Sequence, residues 1–362
     1  MNAANVALMP KAASEAAIEW QANLAHNGSN DLDDHAEADA FEGLHTQRAR
    51  LFGCRPTDIA GGSSCTELLA SIAWAVMPGR DDNVVSTDIA FPSTVYPWAR
   101  IGRTTGCEIR LTTGKHGCAG FDEIVRLIDH HTAVVCVSHV EYTGGQRYDL
   151  ESLADAAHAH DALLVVDASQ SAGAIPIDGP ASGADVIVTG SYKWLCGPYG
   201  AAVMYVAPHL HTKLEPGLVG FRSHRGMWDL NARRLEFADT AHRFEASTLA
   251  FGAIKGLERS IEYLVDVGID RINAHNLGLA DRLIRGLHRL DIRVVSPLDV
   301  SERTSIVTCR IDGIDPIDVV NGLKTRLIAA QKRQEFVRFS PHLYGSVDDI
   351  DRTLAVLGEL VA

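Results

Sequence analysis

Aromatic residues are scarce, at 6% of the 362 residues, and the chain has no long unbroken apolar run. No stretch reaches the roughly 20 apolar residues that a membrane-crossing helix needs, so no membrane partner is expected. Basic residues are also in the minority, with 33 Lys and Arg against 46 Asp and Glu, for a formal net charge of −13. A phosphate-binding surface needs clustered cations, so a nucleic-acid partner is not expected either. The seven cysteines are scattered, odd in number and never spaced as CxxC. That argues against a zinc or redox pair and for reduced thiols in a cytoplasmic protein. The N-terminal "MNAANVALMPKAASEAA" has no charged region leading into an apolar one, so no secretory leader is expected. Sixteen histidines raise the question of a metal. The nearest groups (130–131, 158 with 160, 209 with 211) do not share a helix face, and no metal site is expected.

What the chain does have is alternation. Segments 83–88, 108–113, 133–140, 163–168, 185–190 and 201–206 are short Val- and Ile-rich runs that read as strands buried on both faces. Helical patterns lie between them, at 65–76, 121–131 and 149–161, with acids in the first turn of the last two. Strand, helix, strand in this order predicts an α/β fold, a mostly parallel sheet sandwiched by helices. From about residue 250 the pattern changes to long helices, two short strands at 305–312 and 335–343, and helices at 315–327 and 346–361. This gives a large domain over 16–250, a smaller α+β domain over 251–362, and an N-terminal segment, 1–15, expected near the small domain and the cleft.

Two of the buried runs end in opposite charges. "LLVVDASQ" closes on Asp167, and "DVIVTGSYKW" closes on Lys193. In open parallel sheets ligands sit beyond the carboxyl ends of the strands, so both side chains can face one crevice. A plain salt bridge, or two separate solvated charges, explains the pair equally well at this point. The chemistry that needs both is that of pyridoxal 5'-phosphate: a lysine bonds the cofactor, and an acid keeps its ring nitrogen protonated. "GGSSCTELL" (61–69) offers a phosphate cradle, with the backbone N–H groups of Cys65 and Thr66 and the Thr66 hydroxyl at a helix N-terminus. The same residues also read as an ordinary N-cap with Glu67 inside the first turn. Neither the Walker pattern nor the dinucleotide fingerprint occurs.

The composite "VVDASQSAGAIPID…ADVIVTGSYKWLCGPYGAAVMYV" resembles the signature of fold-type I pyridoxal-phosphate enzymes, and more narrowly the aminotransferase class V superfamily of cysteine desulfurases, kynureninases and isopenicillin-epimerase-like enzymes. "ANVALMP", "DIAFPSTVYPW", "RFEASTLAFGAI" and "VRFSPHLYGSVDDID" extend the resemblance over nearly the whole chain. It implies that Lys193 carries the cofactor and shuttles protons, and that Asp167 pairs with the ring nitrogen. It places Gln170 at the ring hydroxyl and Phe91 over the ring. Ser191 and Tyr192 fall in the segment before the lysine, with Tyr192 donating to the phosphate. Thr248 is expected to reach the phosphate of a neighbouring subunit, which implies a homodimer with shared sites. Arg338 is the expected clamp for a substrate carboxylate, with Tyr142 and Asn5 as further substrate contacts.

The implied activity is that of an enzyme working at the α carbon of a small amino acid through an external aldimine. Desulfurases of this type carry a loop cysteine ahead of the arginine strand. None lies between Gly313 and Arg338, and Cys309 reads as a strand residue. A lyase-type elimination without a persulfide cysteine is therefore the expected reaction. Aminotransfer is the alternative, and epimerisation and decarboxylation stay open. A non-catalytic cofactor-binding scaffold would call for a damaged lysine, acid or cradle, and none is damaged.

Overall fold

The computed structural model describes residues 1–361. Seven strands form the main sheet: β1 (Ile59–Gly62), β2 (Asn83–Thr87), β3 (Glu108–Thr112), β4 (Thr132–Ser138), β5 (Leu163–Asp167), β6 (Val186–Gly190) and β7 (Ala202–Val206). Their spatial order is β1-β7-β6-β5-β4-β2-β3. The pairs from β6 to β3 are parallel, and β7 runs antiparallel to both β6 and β1. This is the expected fold class. β2, β4, β5, β6 and β7 are the continuous Val/Ile runs, and nearly every residue in them is buried. β3 departs from the expectation. As the edge strand it pairs on one side only, and Glu108 and Leu111 are exposed. β1, "IAGG", carries no strand signal because half of it is glycine.

Helices cover both faces. On one side α4 (Cys65–Val76) and α5 (Pro92–Thr105) bury Leu68, Leu69, Ile72, Trp98 and Ile101 against Val84, Val134, Val165, Val186 and Met204. On the other, α3 (Glu42–Phe52) and α7 (Leu150–His158) pack with Val85, Val135, Val166 and Val203. The remaining helices are α1 (Lys11–Asn27), α2 (Asp34–Asp39), α6 (Phe121–Val125), α8 (Phe251–Val267), α9 (Ile269–Arg289), α10 (Pro316–Thr325) and α11 (Val347–Val361). α8 lies C-terminal to the expected domain boundary, yet its Phe251, Ile254, Leu257, Ile261 and Leu264 belong to the core of the large sheet. A separate core forms on the second half of α9, α10, α11 and a four-stranded antiparallel sheet, β10-β11-β9-β8. These strands span Gln331–Arg333, Phe336–Phe339, Val307–Arg310 and Arg293–Val294 respectively.

A third, small cluster joins the two cores. Ala3 and Ala4 of the N-terminal segment pack with Val140, Ala174, Ile175, Trp194 and Ile306. The segment is also tied by its backbone. Ala3 N–H donates to the Ser340 carbonyl, and Ala7 N–H donates to the Tyr192 carbonyl, each at 3.0 Å. The loop after β4 reaches across in the same way, since the Thr304 and Thr308 hydroxyls donate to the carbonyls of Gly145 and Thr143.

Candidate active site

Adjacent parallel strands bring Asp167 and Lys193 together. β5 ends on Asp167, and β6 beside it ends on Gly190, three residues before Lys193. Both side chains line one cavity of about 160 Å³, together with Ser63, Ser64, Cys65, Thr66, Phe91 and Tyr192. They are not joined by a salt bridge among the described residues, so the space between them is open to a ligand.

Each end of the cavity has its own chemistry. At the acid end, Ser169 N–H donates to Asp167 Oδ1 at 2.9 Å and the Thr94 hydroxyl donates to Oδ2 at 3.0 Å. The Cys65 thiol lies 3.5 Å from Oδ1. A carboxylate oxygen has two acceptor sites, so capacity remains for a ligand N–H. At the amine end, burial holds Lys193 below the ordinary lysine range, and the Arg338 and Arg333 charges push the same way, while Asp167 and Cys65 oppose them. A lowered amine pKa is what a lysine needs to act as a nucleophile. The Phe91 ring centroid is 5.4 Å from Nζ, and Tyr192 lies 5.9 Å from it, stacked on Tyr199.

The cradle is the start of α4. The Ser64 hydroxyl accepts from Glu67 N–H as the N-cap. The first N–H groups of a helix have no intrahelical partner, and Cys65 and Thr66, which carry two of them, line the cavity. The Thr66 hydroxyl shares a hydrogen bond of 2.7 Å with Ser93. Glu67 turns back onto the Ser63 hydroxyl, and burial raises its pKa.

Arg338, the expected carboxylate clamp, is fully buried on β11 and, like Tyr142, is not among the residues that line this cavity. Its Nη1 donates to the Tyr142 carbonyl, while Nε and Nη2 have no partner. Unpaired donors on a buried cation are costly, and a ligand carboxylate would satisfy both. The Tyr142 ring meets Phe91 edge-on at 5.5 Å.

Three expected residues, Ser191, Gln170 and Asn5, do not line the cavity. Ser191 is buried and gives its hydroxyl to the Pro198 carbonyl, so it serves the turn after β6 and not the cavity. Gln170 spends its amide on the protein: Nε2 donates to the Ala4 carbonyl at 3.1 Å, and Oε1 accepts from Trp194 Nε1 at 2.8 Å. One N–H is left for a ligand. Thr248, expected at a neighbouring subunit's cavity and not its own, is exposed and donates to Glu37 at 3.2 Å. Asn5 is exposed on the N-terminal segment and does not line the cavity.

Thr94 and Arg333 were missed. Thr94 is an unremarkable helix residue in "FPSTVYPW", and only the fold turns it towards Asp167. Arg333 sits on a three-residue strand too short to leave a periodic pattern. No group of three or more His, Cys, Asp or Glu among the described residues is suited to a metal.

Residues 2–352 match the family description of aminotransferase class-V. A protein of Pyrococcus abyssi named a probable cysteine desulfurase is 27% identical, over 98% of this chain and 92% of its own. An uncharacterized aminotransferase of Bacillus subtilis, YcbU, is 25% identical over 93% and 87%. The apo cysteine desulfurase of Thermococcus onnurineus NA1 superposes with a TM-score of 0.89 at 24% identity, over 99% of this chain and 94% of that one. A cystine C–S lyase, C-DES, solved with its reaction product cysteine persulfide, gives 0.90 at 20% identity, over 99% and 96%. The chain belongs to the aminotransferase class-V family and is a pyridoxal-phosphate-dependent enzyme, a lyase or a transferase. The cavity residues fit that cofactor: an amine and a carboxylate share one space, an aromatic ring borders it, and a helix N-terminus opens into it.

Proposed function

We propose that this enzyme catalyses a lyase-type elimination on a small α-amino acid, releasing a β substituent without a protein persulfide. Pyridoxal phosphate, when bound, supplies an electron sink for the charge left at the substrate's α carbon. Lys193 would hold the cofactor through Nζ and would take the substrate's α proton on the same atom. Asp167, fixed by Ser169 and Thr94, would hold a proton at the ring nitrogen. Cys65 and Thr66 would receive the phosphate at the start of α4, and Phe91 would bound the ring. Arg338 grips the substrate carboxylate through donors that have no other partner. The α C–H bond breaks to give its proton to Lys193. The bond from the β carbon then breaks, and the substituent leaves with the electron pair.

The observation that carries the choice of reaction is Cys309. It is fully buried in β9, and burial pushes its thiol up to about 12. A thiol without thiolate character or access cannot receive sulfur. Sulfur, if it is the leaving group, departs on a small molecule, as the name of the C–S lyase neighbour describes for that protein. Aminotransfer is the second reading, favoured by the name of the Bacillus subtilis relative. A homodimer with shared sites belongs to the same proposal, with Thr248 acting in the partner's cavity. Incubation of the holoenzyme with cystine, cysteine and other small amino acids tests it. Pyruvate and ammonia in equal amounts support elimination, whereas pyridoxamine phosphate accumulating without ammonia would exclude it.

A further inference from the structure

The hairpin of β10 and β11 carries a second arginine beside Arg338, and the charges of both act on Lys193. Its register pairs Gln331 with Arg338 and Arg333 with Phe336, so the two arginines are diagonal neighbours on one face. Tyr142 lies between them. It receives Arg338 on its carbonyl and Arg333 over its ring, with the guanidinium carbon 5.8 Å from the centroid. From Tyr142 the contacts run on to Phe91 at 5.5 Å and from Phe91 to Lys193 at 5.4 Å. Arg333 is thus connected to the reacting amine through two aromatic rings.

Neither arginine has a carboxylate partner among the described residues, although the chain carries a large excess of acids. Arg333 Nε is buried and unpaired, as are Nε and Nη2 of Arg338. Burial lowers both guanidinium pKa values, and Arg333 lowers that of Arg338 further. Arg338 is fully buried, whereas Arg333 is half-buried and gives Nη1 to the Lys332 carbonyl at 3.2 Å. Two neighbouring cations with so little water between them repel unless a ligand brings negative charge. One α-carboxylate answers Arg338 and leaves Arg333 unneutralised.

We propose that Arg333 is a specificity residue and that the substrate is an α-amino acid whose short side chain carries a second anionic oxygen group, a carboxylate or a sulfinate. This rests on the reading of Arg338 as the α-carboxylate clamp. The test measures binding of unreactive acids to the holoenzyme by calorimetry. Succinate and 3-sulfinopropionate, which distinguish the two groups, are compared with butyrate. The doubly charged acid that matches the site binds about tenfold or more tightly than butyrate. In Arg333→Gln that ratio collapses towards one, and in Arg333→Lys part of it survives. Equal binding of all three acids by the wild-type protein overturns the proposal, as does an unchanged ratio in a folded Arg333→Gln. Failure of the wild-type protein to take up cofactor at all would instead overturn the cofactor-site assignment, and this proposal with it. The wild-type comparison needs no variant to fold.

Discussion

Thr94 gives its hydroxyl to the Asp167 oxygen that the Ser169 backbone leaves free. The first turns of α5 therefore fix the angle of the carboxylate at the end of β5. Thr94→Val keeps the shape and removes the bond. A hydrogen bond to a charged group is worth about 1.5–3 kcal/mol, so kcat/KM is expected to fall about tenfold or more. Asp167→Asn should lose on the order of a hundredfold or more. Steady-state kinetics on both variants, with cofactor content matched, checks the ranking. A larger loss in Thr94→Val than in Asp167→Asn contradicts it.

Lys193→Ala should abolish turnover and the visible absorbance of the lysine-bound cofactor. Borohydride treatment of the wild-type protein followed by peptide mapping should place the reduced cofactor on Lys193. Label on another lysine would remove the site assignment.

Cys309→Ala should retain turnover and cost stability of about 1 kcal/mol or a little more, since only a small buried group is lost. Persulfide labelling after turnover with a sulfur amino acid should leave Cys309 unmodified. Loss of activity in a folded Cys309→Ala would restore a protein-borne persulfide to the mechanism.

Glu141 gives a pH signature in stability. It is fully buried beside Thr87 and Tyr148, its Oε2 lacks a partner, and burial pushes its carboxyl up to about 8. The folded chain thus binds a proton that the unfolded chain releases above the ordinary glutamate range. Stability from this group is complete at acid pH and is lost as pH rises through about 8. Glu141→Gln cannot titrate. Its Tm should exceed that of the wild-type protein increasingly between pH 5 and pH 8.5, by a few degrees or more at the upper end. Parallel Tm curves would contradict the assignment.

Gly173 has φ +91, and a Cβ there would stand 2.5 Å from the Trp194 carbonyl. Gly173→Ala must strain the backbone and displace the residue next to Lys193. A loss of about 1–3 kcal/mol is expected, together with weaker cofactor retention in dialysis. Unchanged stability and retention would show that this turn does not support the lysine.

Much of this was legible in the sequence because burial on both faces leaves an unbroken Val/Ile run, as in β4, β5 and β6. Asp167 and Lys193 stood out as the charges that end such runs. Elements decided by tertiary context were hidden. β1 forms because Gly61 and Gly62 fit closely against Phe41 and Leu68, a contact no local pattern encodes. α8 reads as the start of a new unit by its period, and only its packing partners reveal which core it joins. Ser191 and Gln170 were expected at the cofactor by resemblance. The Ser191 hydroxyl closes a turn, and Gln170 ties down the N-terminal segment, 166 residues away in sequence, with one N–H to spare.

The hairpin that carries Arg338 grows from one hydrophobic core, and Lys193 follows a strand of another. An amino acid held at both ends would act as mortar between two blocks whose shared apolar seam is small and whose other ties are a few hydrogen bonds. Saturating ligand should delay proteolytic cutting at that seam, and the two blocks should then come apart in a single step on heating.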